Sequence, residues 1–196
     1  MSKDQALDDN RRQLLIATSV VGGAGVVAAA APFVASLTPS ERAKAAGAPA
    51  EADISKLAPG EMMTVEWRGQ PVWILRRTEA MLATLEEVEP QLADPTSEKS
   101  VQPPYAKNRH RSIKPEYLVV IGICTHLGCS PTAKFAKGEA SGIGKDWLGG
   151  YLCPCHGSRF DLAARVFKSQ PAPTNLTVPP HQYLTDTKIL IGEDKA

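Results

Sequence analysis

"ICTHLGC", Ile123 to Cys129, and "YLCPCHGS", Tyr151 to Ser158, hold all four cysteines of the chain and two of its four histidines. Cys124-x-His126 and Cys153-x-x-His156 each present a thiolate and an imidazole from one short loop. Those donors suit zinc or the iron of an iron–sulfur centre. Cys129 and Cys155 remain, one in each loop, a few residues from a ligand pair. If the loops meet at a metal, these two cysteines meet as well. Cys153 and Cys155 flank a single proline and are poorly placed to bridge each other. The economical assignment is two Cys–His ligand pairs and one disulfide, Cys129–Cys155. A lasting disulfide requires an oxidising compartment. Zinc is the alternative for the same donors, although zinc fingers usually pair Cys with Cys and His with His.

Outward from the loops, "EYLVVIGIC" (Glu116 to Cys124) is the clearest buried strand and delivers the first cysteine at its end. "MMTVEWRGQPVWILRRT" (Met62 to Thr78) gives two alternating strands with a turn at "RGQP". "TEAMLATLEEV" follows as a short helix, with Thr78 as its N-cap and Glu79 favourable in the first turn. Glu89 to Lys114 is a polar, Pro-containing connection, and "QYLTDTKILIGE" is a hairpin with "TD" at its turn and Lys188 to Ile191 as the closing strand. Sixteen prolines and fifteen glycines fit a loop-rich, mostly β fold. No internal repeat is evident unless the two Cys–His loops are counted as one. Trp67, Trp73 and Trp147 are read as packing residues, and His110 and His181 as surface histidines.

The N-terminal end differs in character. From Gln13 to Ser40 a run of 28 residues carries no charge. Its centre, Leu14 to Leu37, is long enough to cross a bilayer as one tilted helix, with Pro32 as a kink or an exit mark. Arg11 and Arg12 immediately before it place the N-terminus in the cytoplasm. "NRRQLLIA" also has the form of a twin-arginine export signal, the address for proteins that fold and load their cofactor before export. "AKA" (Ala43 to Ala45) has the small-x-small form of a cleavage site, but retention as an anchor is favoured. Glu41 to Ala52, rich in Ala with Gly47 and Pro49, is a tether. The expected layout is therefore 1–40 for the cytoplasmic end and lipid-spanning anchor, 41–52 for the tether, and 53–196 for a folded domain, with the site between about 122 and 176. Lys and Arg number 22 against 21 Asp and Glu, a net charge of +1, which gives no support to nucleic-acid binding.

C-T-H-L-G-C together with C-P-C-H-G-S resembles the two cluster-binding loops of the Rieske iron–sulfur proteins, and the extra cysteine in each loop resembles the disulfide-bearing kind found in quinol–cytochrome c reductases. The twin-arginine helix, the tether, "WRGQPVWILRRT", "IKPEYLVVIGICTHLGCSP" and "PAPTNL" extend that resemblance over most of the chain. It implies an antiparallel β domain with a small cluster-binding subdomain, anchored in a bacterial inner membrane with the domain in the periplasm. It implies a 2Fe–2S cluster held by Cys124, His126, Cys153 and His156, with Cys129–Cys155 as the disulfide. The implied partners are a cytochrome b subunit, a c-type cytochrome subunit and ubiquinol, in a complex expected to be dimeric. Two imidazoles in place of two thiolates leave such a cluster less negative, hence potentials of about −150 to +300 mV against roughly −400 mV for plant-type ferredoxins. His156 or His126 is the group expected to take a proton from quinol.

Other roles follow from the same resemblance. Gly128 and Gly157 let backbone approach the sulfurs. Ser158 donates a hydroxyl hydrogen bond to a cluster sulfur, and Leu127 shields the cluster from water. Gln170 to Leu176 forms a proline loop over the third side. Phe160 stands where high-potential members carry a tyrosine, so a lower potential is expected, and Gln170 replaces the usual glycine before the proline loop. The 26 residues from Leu127 to Leu152 exceed the family's usual spacing, which makes Lys134 to Trp147 a surface insertion. The rival readings are the small Rieske subunit of a periplasmic oxidase such as arsenite oxidase, a Rieske ferredoxin or oxygenase component, and a structural zinc module.

Overall fold

The computed structural model describes residues 3–194, with the side chains of residues 3–8, 42, 45 and 46 left aside. The outermost residues of the expected first and last segments, 1–2 and 195–196, lie outside the described residues. Helix α1 spans Lys3–Ser36 and runs through Pro32, ending four residues beyond it. Within its 28 residues from Asp9 to Ser36, an 18-residue stretch reaches a mean hydropathy of 2.1, and the helix is long and apolar enough to cross a membrane. Its hydroxyls turn inward: Thr18 Oγ1 donates to the Leu14 carbonyl at 2.8 Å and Ser36 Oγ to that of Phe33 at 2.7 Å. A second helix, α2, covers Glu41–Ala46.

From residue 46 onward the chain is built from three three-stranded antiparallel sheets. Strands β1 (Ala50–Asp53), β9 (Lys188–Ile191) and β8 (His181–Thr185) form one, in that order. Strands β2 (Met62–Trp67), β3 (Gln70–Arg76) and β4 (Tyr117–Ile121) form the second. Strands β5 (Thr132–Lys134), β6 (Gly150–Leu152) and β7 (Arg159–Phe160) form the third. The β2–β3 turn is two residues long, with Arg68 and Gly69 both at positive φ (51° and 69°), as a tight hairpin of that twist requires. Helix α3 (Glu79–Glu87) starts where the sequence placed it, with Thr78 Oγ1 accepting the Met81 amide.

Strand alternation makes β3–β4 the middle layer of the domain. Val72, Ile74 and Val119 face a core shared with Ala52, Ile54, Ile189 and Ile191. Trp73, Leu75, Leu118 and Val120 face the opposite core, which contains Cys124, Tyr151, Cys153 and Phe160. Trp73 is the hub of that second face. It stacks on Tyr151 with ring centroids 5.1 Å apart, and a Cβ at position 122 would stand 2.2 Å from its ring. Gly122 and Tyr151 each precede a loop cysteine by two residues, so one indole sets the starting height of both loops. The readings of Trp67, Trp73 and Trp147 as packing residues agree with their exposures of 6, 5 and 4 %.

Three expectations change. The tether was expected to run to Ala52, but Ala50–Asp53 pairs with β9, because Ala52 has a buried slot against Ile189 there. Strand β4 ends at Ile121, three residues short of Cys124. His181 is a buried residue, 1 % exposed, and His110 is half-buried, rather than surface histidines. The Lys134–Trp147 segment, expected at the surface, is mostly exposed or half-buried there and is docked at one end: Trp147 donates to the Lys134 carbonyl at 2.8 Å and packs with Phe167, Val88 and Leu92.

Candidate metal centre

The two loops share one hydrogen-bond frame. The Cys124 amide donates to the Cys129 carbonyl at 2.7 Å, and the Gly128 amide to the Cys124 carbonyl at 3.1 Å. In the second loop the Cys153 amide donates to the Ser158 carbonyl at 2.8 Å, and the Gly157 amide to the Cys153 carbonyl at 2.9 Å. The repeat suspected in the sequence is therefore a repeat of backbone geometry. Gly128 and Gly157 close the two frames at φ 83° and 78°. No described protein atom lies within 4 Å of a Cβ at either position, so the left-handed turn is what calls for glycine.

This frame fixes which side chains face inward. Cys124 and Cys153 are each 2 % exposed, while His126 is half-buried and His156 exposed. The two imidazoles meet edge to face with centroids 4.7 Å apart. Cys129 and Cys155 form a disulfide, with Cα atoms 6.6 Å apart. The Cys153 sulfur lies within 4.8 Å of both disulfide sulfurs. Being bonded to each other, Cys129 and Cys155 offer no thiolate, which leaves the donors as two sulfurs inside and two imidazoles at the rim.

Electrostatics agree with that division. Burial pushes the Cys124 thiol pKa up, and the neighbouring Cys153 thiol adds to the rise, while the His126 amide and the Ser158 hydroxyl pull it down. A buried thiol beside another thiol is a poor place for a proton-free sulfur unless a cation shares it. His126 Nδ1 is buried with no hydrogen-bond partner. A buried ring nitrogen without a partner is rare, and in a loop that also carries Cys124 a metal ligand role would account for it. The donors fit the [2Fe–2S] cluster that the resemblance implies, which Cys124, Cys153, His126 and His156 would hold.

Ser158 is fully buried, and its Oγ accepts the Ala172 amide at 3.0 Å, which frees its hydrogen to turn elsewhere. Ala172 belongs to the proline loop, Gln170 to Leu176. The Thr174 carbonyl of the same loop accepts from Thr125 Oγ1 at 2.7 Å. Gln170, which stands in place of the family's common glycine, accepts the Arg159 amide through Oε1 at 3.1 Å, and Ser169 before it is left-handed at φ 56°. Leu127 is 72 % exposed beside the histidines, so it offers the site an apolar outer edge. Phe160 is fully exposed to the core that holds both inner cysteines and not to solvent. Sequence reasoning missed Thr125 and Ala172, whose roles rest on backbone contacts that residue type does not announce.

Comparison with known proteins agrees with this chemistry. Residues 1–40 match the family described as "Ubiquitinol-cytochrome C reductase Fe-S subunit TAT signal", and residues 49–180 match the "Rieske [2Fe-2S] domain". The "Ubiquinol-cytochrome c reductase iron-sulfur subunit" of Allochromatium vinosum is 64% identical over 185 residues, covering 94% of this chain and 89% of that one. The protein of the same name from Blastochloris viridis is 43% identical over 192 residues, covering 97% of each. The one from Bradyrhizobium diazoefficiens is 40% identical over 180 residues, covering 91% of this chain and 92% of that one. A chain that carries both loops of the site and aligns with these relatives along nearly its whole length belongs to the Rieske [2Fe–2S] family, among the ubiquinol–cytochrome c reductase iron–sulfur subunits.

Proposed function

We propose that this chain is the one-electron subunit of a ubiquinol–cytochrome c reductase, taking an electron and a proton from ubiquinol and passing the electron to a c-type haem. The observation that carries this reading is the division of donors, with Cys124 and Cys153 buried and His126 and His156 together at the rim. When bound, a [2Fe–2S] cluster supplies a one-electron acceptor whose charge becomes more negative on reduction. His126 and His156 would hold the group, each keeping one ring nitrogen for a proton. A hydroxyl of ubiquinol, seated in a cytochrome b subunit, hydrogen-bonds one of these nitrogens, and His156 is the more accessible of the two. Ser158 holds a donor toward the buried sulfurs, and Leu127 keeps water from the rim.

On this reading the chain is anchored in a bacterial inner membrane, with the twin-arginine end cytoplasmic and the disulfide-bearing domain in the oxidising periplasm; the apolar helix and the Cys129–Cys155 bond support it. The segment between α2 and β1 gives the domain its reach to both redox partners, in a complex that is dimeric. The apolar helix and the 64% identity to a ubiquinol–cytochrome c reductase subunit favour this role over a small subunit of a periplasmic oxidase. The test is a potentiometric titration of the EPR signal at several pH values, in membranes containing the protein. A Rieske-type signal at high potential, falling with pH and perturbed by a quinol-site inhibitor, is the expected result. A low, pH-independent potential that ignores the inhibitor would point to a ferredoxin-like carrier.

A further inference from the structure

The polar connection after α3 has a specific partner. Its turn, Asp94 to Ser100, packs behind Asn175, about eighty residues later in the chain. Asn175 is 1 % exposed, and its side-chain amide is fully engaged. Nδ2 donates to the Asp94 carbonyl at 2.9 Å and to Ser97 Oγ at 3.0 Å, and Oδ1 accepts the Val166 amide at 2.8 Å. The Asn175 backbone amide donates to Ser100 Oγ at 3.0 Å, and Ser100 Oγ in turn donates to Asp94 Oδ2 at 2.7 Å. The Asp94 carboxylate also accepts the Glu98 and Lys99 amides, at 2.7 and 3.0 Å. The turn is thus closed on itself before it grips Asn175.

The grip matters because the proline loop has few amides of its own. Pro171 and Pro173 carry no N–H, so the loop cannot be fastened by a regular ladder. Two of its remaining amides, at Ala172 and Asn175, go to serine hydroxyls from elsewhere in the fold. Between them stands the Thr174 carbonyl, which receives Thr125 Oγ1 from between Cys124 and His126. One ligand loop is therefore held through Thr174, the other through Ala172 and Ser158, and the loop that holds both is pinned at Asn175. We infer that the Asp94–Ser100 turn is a positioning element of the metal centre: through Asn175 it fixes the proline loop, and so the Thr125 and Ser158 contacts of both ligand loops.

The inference rests on the cluster reading above, and the experiment separates the two. Ser100→Ala removes one link, between Asp94 and the Asn175 amide, without touching a ligand loop, and Ser100→Thr restores the hydroxyl. Both are made in the full chain with its cluster, in membranes. Iron content, the midpoint potential from EPR, and amide hydrogen exchange are then measured. Ser100→Ala is expected to keep its iron, to lower the midpoint potential, and to speed exchange at Ala172, Thr174 and Asn175 at least tenfold while β3 stays protected. Ser100→Thr is expected to return both quantities toward the parent. An unchanged potential with unchanged exchange at the proline loop overturns the inference, and so does faster exchange spread evenly over β3 as well. Ser97→Ala, which removes a partner of Asn175 Nδ2, repeats the test at a second position. Should the parent give no Rieske-type signal, the cluster reading fails, and the exchange data alone decide whether the turn grips the loop.

Discussion

The Ala172 amide donates to the Ser158 hydroxyl oxygen across 3.0 Å, and that contact decides where the Ser158 hydrogen goes. With its oxygen engaged and the residue fully buried beside Cys124, the hydroxyl is left to donate toward sulfur. Donation to a sulfur favours the more negative, reduced state. Charge-assisted hydrogen bonds contribute roughly 1.5–3 kcal/mol, which at about 59 mV per tenfold change for one electron corresponds to ~60–130 mV. Ser158→Ala is expected to lower the midpoint potential by an amount of that order while the EPR line shape stays Rieske-like. A potential equal to the parent's would remove Ser158 from the list of donors.

Phe160 lies in the same core as Cys124 and Cys153 and has no polar atom to offer them. A tyrosine there adds a hydroxyl within the buried region around the inner sulfurs. Phe160→Tyr is expected to raise the midpoint potential by some tens of millivolts, on the order of a single neutral hydrogen bond at about 1 kcal/mol. Redox titration of the purified protein measures it, and an unchanged or lower potential refutes the argument.

The site was legible because metal ligation needs particular residue types at short spacing. Cys124, His126, Cys153 and His156 announce themselves, and Cys129 and Cys155 are brought together as the sequence implied. Hairpins and α3 were legible for local reasons: Arg68–Gly69 at a turn and Thr78 at a cap. What escaped depends on distant partners. "AEAD" at Ala50–Asp53 has no strand pattern of its own and becomes β1 through pairing with β9. Trp147 was read as a packing residue, but its partners Val88, Leu92 and Phe167, which dock the end of the surface insertion, lie too far away in the chain to be read locally. The grip on Asn175 joins residues that no local pattern connects.

The Cys129–Cys155 bond ties the two ligand loops together across a sequence separation of 26 residues. Closing a loop of that size removes about 3.5 kcal/mol of unfolded-chain entropy. The local effect is larger, since the bond joins the two loops whose separation defines the site. Cys155→Ala is expected to keep the β-rich circular dichroism spectrum, to lower the melting temperature by roughly 5–15 °C, and to lose most of its iron on purification. Iron retained at one cluster per chain would show that the sheets alone hold the loops in register.

His181 sets the last expectation, which concerns pH. The imidazole is 1 % exposed, and it lies edge-on to Tyr105 with centroids 5.5 Å apart. Its Nδ1 lies 2.9 Å from the Pro179 carbonyl, and its Nε2 is buried without a partner. Nδ1 therefore carries the hydrogen, and a second proton at Nε2 would be a buried charge. Burial lowers its pKa below the ordinary 6.5, while the Pro179 carbonyl and Asp194 act in the other direction. The unfolded chain then binds this proton at a higher pH than the folded one. The stabilisation is fully present above about pH 6.5 and is lost as the pH falls through the lowered, folded value. His110, lowered by burial and by Arg77, contributes with the same sign. Denaturant unfolding between about pH 7.5 and 5 should show falling stability in the parent and a shallower fall in His181→Phe, which keeps the ring's packing on Tyr105 and has nothing to protonate. Equal slopes in the two proteins would mean that His181 takes up its proton without disturbing the fold.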